Sequence, residues 1–331
     1  MNNSLCTALL SLLCVGLPSW ASETSTASPA SAPQSDPAIK KTESSDIKSD
    51  SSSILPFFGD EARARGYDLP EPFGVSINYM NIRQNLNVNS IKFNGLALGS
   101  LPLDNLFKID VGHTRERSKT ETLKLDTWLF PFMDIYGLVG HTKGHSVSNI
   151  GVGIDALGKT MYPPSLQNMK FQLDFKGTTY GVGTTLVGGY DNWFTSVDAN
   201  YTETRFDILD GSINAFTLSP RVGYSFTTPG MDTLHMPDGK LNVWVGTMYQ
   251  DVQQEFKGKL SDLHMPSADL DQMVNMANKS GRGRFDVKQH LTSPWNVLVG
   301  AQYALTRNIN ITSEVGFAAR NSFFVSGEYR F

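Results

Sequence analysis

The last ten residues, 322–331, read Ser-Phe-Phe-Val-Ser-Gly-Glu-Tyr-Arg-Phe, and they indicate the fold of the whole chain. Side chains alternate between the two faces of a β-strand. One face of this stretch therefore carries Phe323, Val325, Gly327, Tyr329 and Phe331. The other face carries Ser322, Phe324, Ser326, Glu328 and Arg330. The pattern predicts a strand with one apolar and one mostly polar face, ending on an aromatic residue.

The same alternation recurs along the chain from Phe73 onward, between segments with turn-forming residues. About twelve runs fit a strand: 73–80, 91–98, 107–111, 123–129, 135–142, 171–190, 193–206, 216–226, 241–250, 295–305, 309–317 and 322–331. The run at 91–98 alternates most weakly, so a count of ten strands stays open. Residues 85–90 are predicted to form a turn, and residues 115–119 a charged loop.

The lengths of the connections indicate how these strands are arranged. Counted back from the C-terminus, the turns at Pro131, Asn192 and Asn308 lie at the same end as residue 331, and all three are short. The long connections, 144–169 and 257–292, lie at the opposite end, and the turn at 227–238 is longer than expected for its end. An even strand number with short periplasmic turns and long outer loops is typical of a transmembrane antiparallel β-barrel. We therefore predict an all-β fold, with the barrel over residues 73–331.

Composition excludes several other classes of protein. The net charge of −4 gives no sign of nucleic-acid binding, and the 40% hydrophobic content is too low for a helical membrane protein. Barrel strands alternate lipid-facing with interior-facing residues, so they are not strongly hydrophobic in any one segment. The cysteines, Cys6 and Cys14, both lie in the first apolar segment, and we expect no disulfide and no cysteine-bound metal in the mature chain.

The N-terminal region is predicted to have three parts. Residues 1–21 combine an apolar run with small residues before position 22, as in a signal peptide. Residues 22–53 are rich in Ser, Thr, Pro, Ala, Asp and Lys, which predicts a disordered periplasmic linker. Residues 54–72 predict an apolar anchor and a short helix, with Asp60 as N-cap and Gly66 as its end. This pre-barrel segment either packs across the periplasmic mouth, which we favour, or plugs the lumen.

The C-terminal strand resembles the terminal strand of Gram-negative outer-membrane β-barrels, which ends in an aromatic residue and serves as an assembly signal. Four further segments resemble a largely uncharacterised family of such proteins: 126–140, 177–183, 244–249 and 294–303. The resemblance implies an outer-membrane location and contact with outer-membrane lipid. For Tyr329 and Phe331 it implies recognition by the barrel-assembly machinery. It implies no activity and no functional residue.

The polar faces of the strands supply the candidate site residues. Seven are expected to line the lumen: Asp198, Arg221, Asn242, Gln302, Glu314, Glu328 and Arg330. Charges in such a wall are expected to be paired or hydrated. Two interpretations are equally open: the lining of a polar channel, or an interior network that closes the barrel. Four larger inward residues would obstruct a channel: Trp244, Met248, Leu298 and Phe324.

The long connection at 257–292 carries two further features. Met and Leu at helical spacing predict an amphipathic helix over 267–279, whose apolar face is expected to act as a lid on the barrel mouth. The basic stretch 281–284 could meet the phosphates of lipopolysaccharide.

Histidines near the outer rim raise the alternative of an enzyme. Outer-membrane phospholipase and lipid A deacylases use Ser and His, and outer-membrane proteases use Asp and His. His145 with Ser146 or Ser148, and His113 with Asp110, are the pairs available here. Neighbours on a strand usually point apart, so we expect no catalytic site. His141 and His145 have a metal-ligand spacing only on a helix, and we expect neither metal nor cofactor.

Three functions follow from the sequence. The leading one is a passive channel or binding barrel for a small-molecule solute. The first alternative is a structural or surface-interaction barrel with a blocked lumen. The second is a rim enzyme acting on lipid A, phospholipid or peptide.

Overall fold

The computed structural model describes residues 54–67, 69–98, 101–102, 107–156, 159–207, 209–229, 239–263 and 265–331. The predicted signal peptide and linker lie outside these residues. The strands are β1 Phe73–Asn94, β2 Ala97–Leu98, β3 Leu101–Pro102, β4 Phe107–Phe130, β5 Met133–Ala156, β6 Lys159–Met161, β7 Met169–Tyr190, β8 Trp193–Phe206, β9 Asp210–Thr228, β10 Gly239–Lys259, β11 Arg284–Leu291, β12 Trp295–Ala304, β13 Ile309–Phe317 and β14 Asn321–Arg330. The helices are α1 Gly59–Ala64 and α2 Ala268–Ala277, with 3₁₀ turns at Pro164–Leu166 and Leu260–Asp262.

Ten strands close into an antiparallel ring, which we call the lower ring, in the order β1-β4-β5-β7-β8-β9-β10-β12-β13-β14. Closure is made by β14 and β1, which pair from Gly74 opposite Arg330 to Arg83 opposite Asn321. The predicted all-β barrel is confirmed. The lower ring has ten strands, the smaller of the two numbers that the sequence left open.

Two predicted interruptions are wrong. Residues 85–90 lie within β1, and residues 115–119 lie within β4, so four predicted strands merge into two. The polar residues of these stretches alternate like the rest, with one face exposed and one buried. The pattern of both stretches resembles a turn or loop because a strand that leaves the membrane no longer has an apolar outer face.

The outer surface of the lower ring carries an apolar band. Each of the ten strands contributes an exposed side chain to it: Ile77, Leu123, Val139, Val182, Tyr201, Phe216, Val245, Val297, Ile311 and Phe323. Aromatic pairs lie at both edges, Trp193 with Tyr224 at one and Tyr249 with Trp295 at the other. Residues on the alternate face, such as Ser76 and Asn78, are polar and buried. A closed ring pairs the backbone polar groups of neighbouring strands with one another, as a transmembrane barrel in lipid requires.

Beyond the band, on the side away from the termini, the barrel continues as a narrower ring that we call the extension. Here β11 pairs with β1 on one side and with β10 on the other, in place of β12, β13 and β14. Eight strands form this ring: β1, β4, β5, β7, β8, β9, β10 and β11. The predicted loops at 144–169 and 257–292 are therefore partly strand, since β5 runs to Ala156 and β11 lies inside the second loop.

The extension has an apolar interior, which we call the extension core. Its buried residues include Val152, Phe175, Phe256 and Phe285. Helix α2 adds Leu270, Val274 and Ala277 to this cluster, and its N-cap Ser267 accepts a hydrogen bond from the Leu270 N–H at 3.2 Å. The predicted amphipathic helix is confirmed, and its apolar face covers the extension core.

The pre-barrel segment contacts the turn between β4 and β5, at the end of the barrel that holds both termini of the ring. The Phe57 N–H donates to the Leu129 carbonyl at 3.0 Å, and the Phe57 and Phe58 rings lie 5.9 and 6.3 Å from Phe130. These contacts correspond to packing at the periplasmic mouth. Asp60 is not the N-cap of α1, because that position is held by Phe58 without a side-chain cap.

Gly66 has a φ of +88° just after α1, which suits the predicted end of that helix. Neither α1 nor α2, nor any other helix in the described part of the chain, has the length and apolarity needed to cross a membrane.

Candidate functional site: the barrel interior

The first interior network joins Arg221 of β9 to Glu314 of β13. The guanidinium donates from Nε at 2.7 Å and from Nη2 at 3.0 Å, one bond to each carboxylate oxygen. Trp244 of β10 donates its indole N–H to the same carboxylate at 2.7 Å. Strands β10 and β12 lie between β9 and β13, so this contact bridges the concave inner face of the ring. The paired fork-to-carboxylate geometry is the strongest form of such an ion pair.

The second network is centred on Asp198 of β8. Its carboxylate accepts hydrogen bonds from the Tyr136 hydroxyl at 2.8 Å, the Thr185 hydroxyl at 2.9 Å and the Asn200 amide at 2.9 Å. The donors come from β5, β7 and β8, so three neighbouring strands are joined. The sequence indicated Asp198 but missed Tyr136 and Thr185, which the structure places on the inner face of the barrel.

The third network lies near the rim that holds the C-terminus. Arg330 pairs with Asp126 of β4 at 2.8 Å and with Glu328, and it donates from Nε to the Glu71 carbonyl at 3.0 Å. Lys124 lies 3.3 Å from the Asp126 carboxylate. The sequence indicated Glu328 and Arg330 but not Asp126. A single acidic residue in an alternating strand does not indicate which basic residue it contacts where the first and last strands close the barrel.

The remaining predicted lumen residues form a smaller polar cluster. The Asn242 side chain donates to Gln302 at 3.1 Å and accepts from the Ser225 hydroxyl at 2.7 Å. The structure thus brings together Arg221 with Glu314, Asn242 with Gln302, and Glu328 with Arg330. Asp198 has other partners. Two of the four predicted obstructing residues, Met248 and Leu298, are buried in the interior.

A buried carboxyl group marks the base of the extension. Glu116 of β4 accepts a hydrogen bond from the Gln254 amide of β10 at 2.6 Å, and Gln289 of β11 donates to Gln254 at 2.9 Å. Strands β1 and β11 separate β4 from β10, so the contact spans the bore. Burial raises the pKa of the Glu116 carboxyl above its ordinary value, while the bond from Gln254 opposes this.

Above Glu116 the bore is filled by the extension core. Phe256 is fully buried, with its ring stacked at 4.9 Å on Phe206 and tilted at 5.5 Å against Phe175. Leu260, which follows β10, and Phe285 of β11 are also buried in this cluster. Aromatic and aliphatic side chains therefore occupy the interior on the outer side of the polar networks.

His145 does not meet either of the serines that the sequence offers as candidate partners. Ser146 and Ser148 are buried on the inner face of β5, whereas His145 belongs to the alternate, outer face. The Ser148 hydroxyl lies 2.8 Å from that of Thr114 instead. His141 and His145 share the outer face but stand roughly 13 Å apart at the rise of a strand. In the described ranges no three His, Cys, Asp or Glu side chains are grouped as metal ligands.

Comparison with known proteins finds distant likenesses of fold. No family model matches the chain, and no curated protein matches it. The beta domain of the Bordetella autotransporter Brka is 9% identical, with a TM-score of 0.35, covering 79% of this chain and all of that one. An outer-membrane channel from Pseudomonas putida F1 is 7% identical, with a TM-score of 0.32, covering 80% and 97%. The outer-membrane protein OprG from Pseudomonas aeruginosa is 12% identical, with a TM-score of 0.29, covering 80% and 100%.

Likeness at this level bears on neither substrate nor activity. The closed ring, the apolar band and the short connections at the end with both termini make this protein a β-barrel of the Gram-negative outer membrane.

Proposed function

We propose that the protein is a non-conducting outer-membrane barrel that presents the extension at the cell surface as a structural or interaction module. The observation that carries this proposal is the extension core, whose aromatic side chains fill the bore under helix α2. Small barrels in which side chains fill the interior have no aqueous channel.

The charges of the lower ring support the same function. Arg221, Glu314, Arg330 and Asp126 make specific short contacts with one another rather than lining an open bore. Ion pairs such as Arg221 with Glu314 stiffen a barrel, because removing either partner would leave a buried charge. Such a network suits a permanent wall better than a path for solutes.

The passive channel that the sequence favoured would require the extension core to leave the bore. Exposing a buried Phe, Leu or Val side chain costs about 1.5–3 kcal/mol. Phe256, Phe285, Leu260 and Val152 would all have to be exposed together, so an opening on this route has a high free-energy cost. The channel stays a prediction that conductance can decide.

Planar-bilayer recording tests the proposal. The wild-type full chain should insert and show no unitary openings. A positive control with Phe256→Ser, Phe285→Ser and residues 260–283 replaced by a short Gly/Ser linker should conduct, because the core and its lid are removed. Met276→Ala is the matched neutral variant, since Met276 lies on the exposed face of α2 with 53% exposure. Reproducible openings of the wild-type protein at ordinary voltage would contradict the proposal.

A further inference from the structure

Five cations lie together on the outer wall of β1, β4, β5 and β7, and we call them the basic patch. They are Arg83, Arg117, Lys119, Lys143 and Lys176. All five side chains are exposed, and their sequence neighbours Gln84, Glu116, Thr142 and Phe175 are buried on the inner face. The patch therefore faces away from the bore.

Strand register places these cations directly opposite one another. Arg83 pairs with Arg117 across β1 and β4, Lys119 with Lys143 across β4 and β5, and Lys143 with Lys176 across β5 and β7. Like charges directly opposite on one face of a sheet are destabilising. Three such pairs in one patch leave a repulsion that a bound external anion would offset.

The chain itself offers the patch little neutralisation. Within the described ranges none of the five cations forms an ion pair. Asp174 lies opposite His145 at the edge of the patch and accepts a hydrogen bond from Gln172 at 2.9 Å. Glu121 is one step below Lys119 on the same face. A third acid, Asp262, lines the same cavity as the five cations. Counting all three acids, the surface keeps a net charge of about +2 with histidine neutral.

Only some of the cations elsewhere on the outer wall of the extension are paired. Arg205 lies 2.9 Å from Glu203, and Lys257 and Lys288 lie 2.8 and 2.9 Å from Glu255. Lys92, Lys108, Arg115 and Lys170 also form no ion pair within the described ranges, but none of them lies directly opposite another cation. The property specific to the basic patch is therefore that its unpaired cations face one another across neighbouring strands.

The height of the patch matches the lipid headgroups. Leu123 and Val139 of the apolar band lie on the same outer faces, four residues from Lys119 and Lys143 respectively. Four residues of strand span roughly 13 Å, or about 10 Å of height at the usual barrel tilt. The headgroup region begins just outside the hydrocarbon. All five cations line one cavity of about 700 Å³, together with His145, Asp174 and Asp262.

We propose that the basic patch binds the phosphate groups of lipopolysaccharide, the phosphorylated glycolipid of the outer leaflet. Arginine provides paired donors to phosphate oxygens, and lysine provides point charge. The apolar band below receives the acyl chains of the same molecule. The basic stretch at 281–284 contributes less, because Arg284 pairs with Asp210 and the Gly283 N–H donates to Asn278 at 2.7 Å.

Binding of purified lipid A to the full chain in detergent tests this assignment. The patch variant is Arg117→Gln/Lys119→Gln/Lys143→Gln. The control is Arg205→Gln/Lys257→Gln/Lys288→Gln, which removes the same charge from paired positions. The patch variant should bind at least about tenfold more weakly than the wild type, and the control should stay within about twofold. Lipid A treated with phosphatase should bind the wild type as weakly as phosphorylated lipid A binds the patch variant.

Equal losses in the two triple variants, or equal wild-type affinity for phosphorylated and dephosphorylated lipid A, would overturn the proposal. Inorganic phosphate serves as a competitor, and displacement at low millimolar concentration would identify a free-anion site instead. Folding is checked by the faster migration of unheated barrel in gels. If the triple variant misfolds, the single variants Lys119→Gln and Lys143→Gln are compared with Lys288→Gln in the same assay. Equal losses of lipid A binding in these single variants would also refute the proposal.

Discussion

Truncating Phe256 in the extension core tests whether that core is a stable closure of the bore. Phe256 is fully buried, stacks on Phe206 at 4.9 Å with an interplanar angle of 14°, and meets Phe175 at 5.5 Å. Replacing a buried Phe with Ala costs about 3–5 kcal/mol, and aromatic pairs of this kind contribute about 0.5–1.5 kcal/mol of such losses. We expect Phe256→Ala to lower the free energy of unfolding of the extension by roughly 4 kcal/mol.

Hydrogen exchange measured by mass spectrometry resolves this loss by region. Amides of β11, which exist only in the extension, should lose protection by about a thousandfold, because about 1.4 kcal/mol corresponds to a factor of ten. Amides of β13, which lies only in the lower ring, should change little. Tryptophan fluorescence is a poorer probe, since Trp128, Trp193, Trp244 and Trp295 all lie in the lower ring.

Met276→Ala is the control for this experiment, because Met276 is exposed on α2 and should leave β11 protection within about fivefold of wild type. A loss below about fivefold in Phe256→Ala would mean that the core collapses around the cavity or contributes little, and the reasoning would fail. An equal loss in β13 would show that the lower ring and the extension unfold as one unit.

Three other perturbations test the networks and the seam. Arg221→Leu should lower the free energy of unfolding of the barrel, measured in urea, by about 3–5 kcal/mol, because it leaves Glu314 buried and unpaired. The double variant Arg221→Leu/Glu314→Leu should recover much of this lost stability. Equal losses in the single and double variants would show that the two residues are not coupled. Glu116 has a folded-state pKa raised above 4.5 by burial, so wild-type stability should fall as pH rises from the unfolded-state pKa through the folded-state one. Glu116→Gln should remove that fall, and identical pH profiles of the two proteins between about pH 4 and 8 would count against it. Deleting Phe331 removes two backbone hydrogen bonds to Phe73, at 2.9 and 3.1 Å, and should lower the free energy of unfolding by about 1–3 kcal/mol. The fraction of folded barrel, measured by heat-modifiable gel mobility, should fall. An unchanged folded fraction would contradict the assembly role of this residue.

Much of the barrel could be predicted because its determinants are local. An outward Val182 or Phe323 must be apolar in lipid, and the alternate residue must not be, so each membrane-crossing strand carries its own pattern. The same logic failed where β1 and β4 leave the membrane. There the outer face becomes polar at Arg83 and Arg117, and the apolar residues move to the inner face, so the local pattern resembles a turn.

The candidate site shows the same difference between what a local pattern predicts and what depends on the whole ring. That Arg221, Glu314 and Arg330 face inward follows from parity alone. Which residues they meet depends on strand order and shear, and these are set by closure of the whole ring. Asp126 reaches Arg330 only because β1 brings β4 beside β14.

The sequence by itself determined the strand faces, the end of the barrel that holds the short turns and the amphipathic helix, because hydrophobic periodicity and turn chemistry are properties of a few consecutive residues. Only the tertiary structure decided that β11 narrows the outer end of the barrel and that Phe256 and Phe285 meet within it. It also decided that Arg83, Arg117, Lys119, Lys143 and Lys176 form one surface. These are pairings between residues far apart in the chain, and their register is a consequence of ring closure that no single segment encodes.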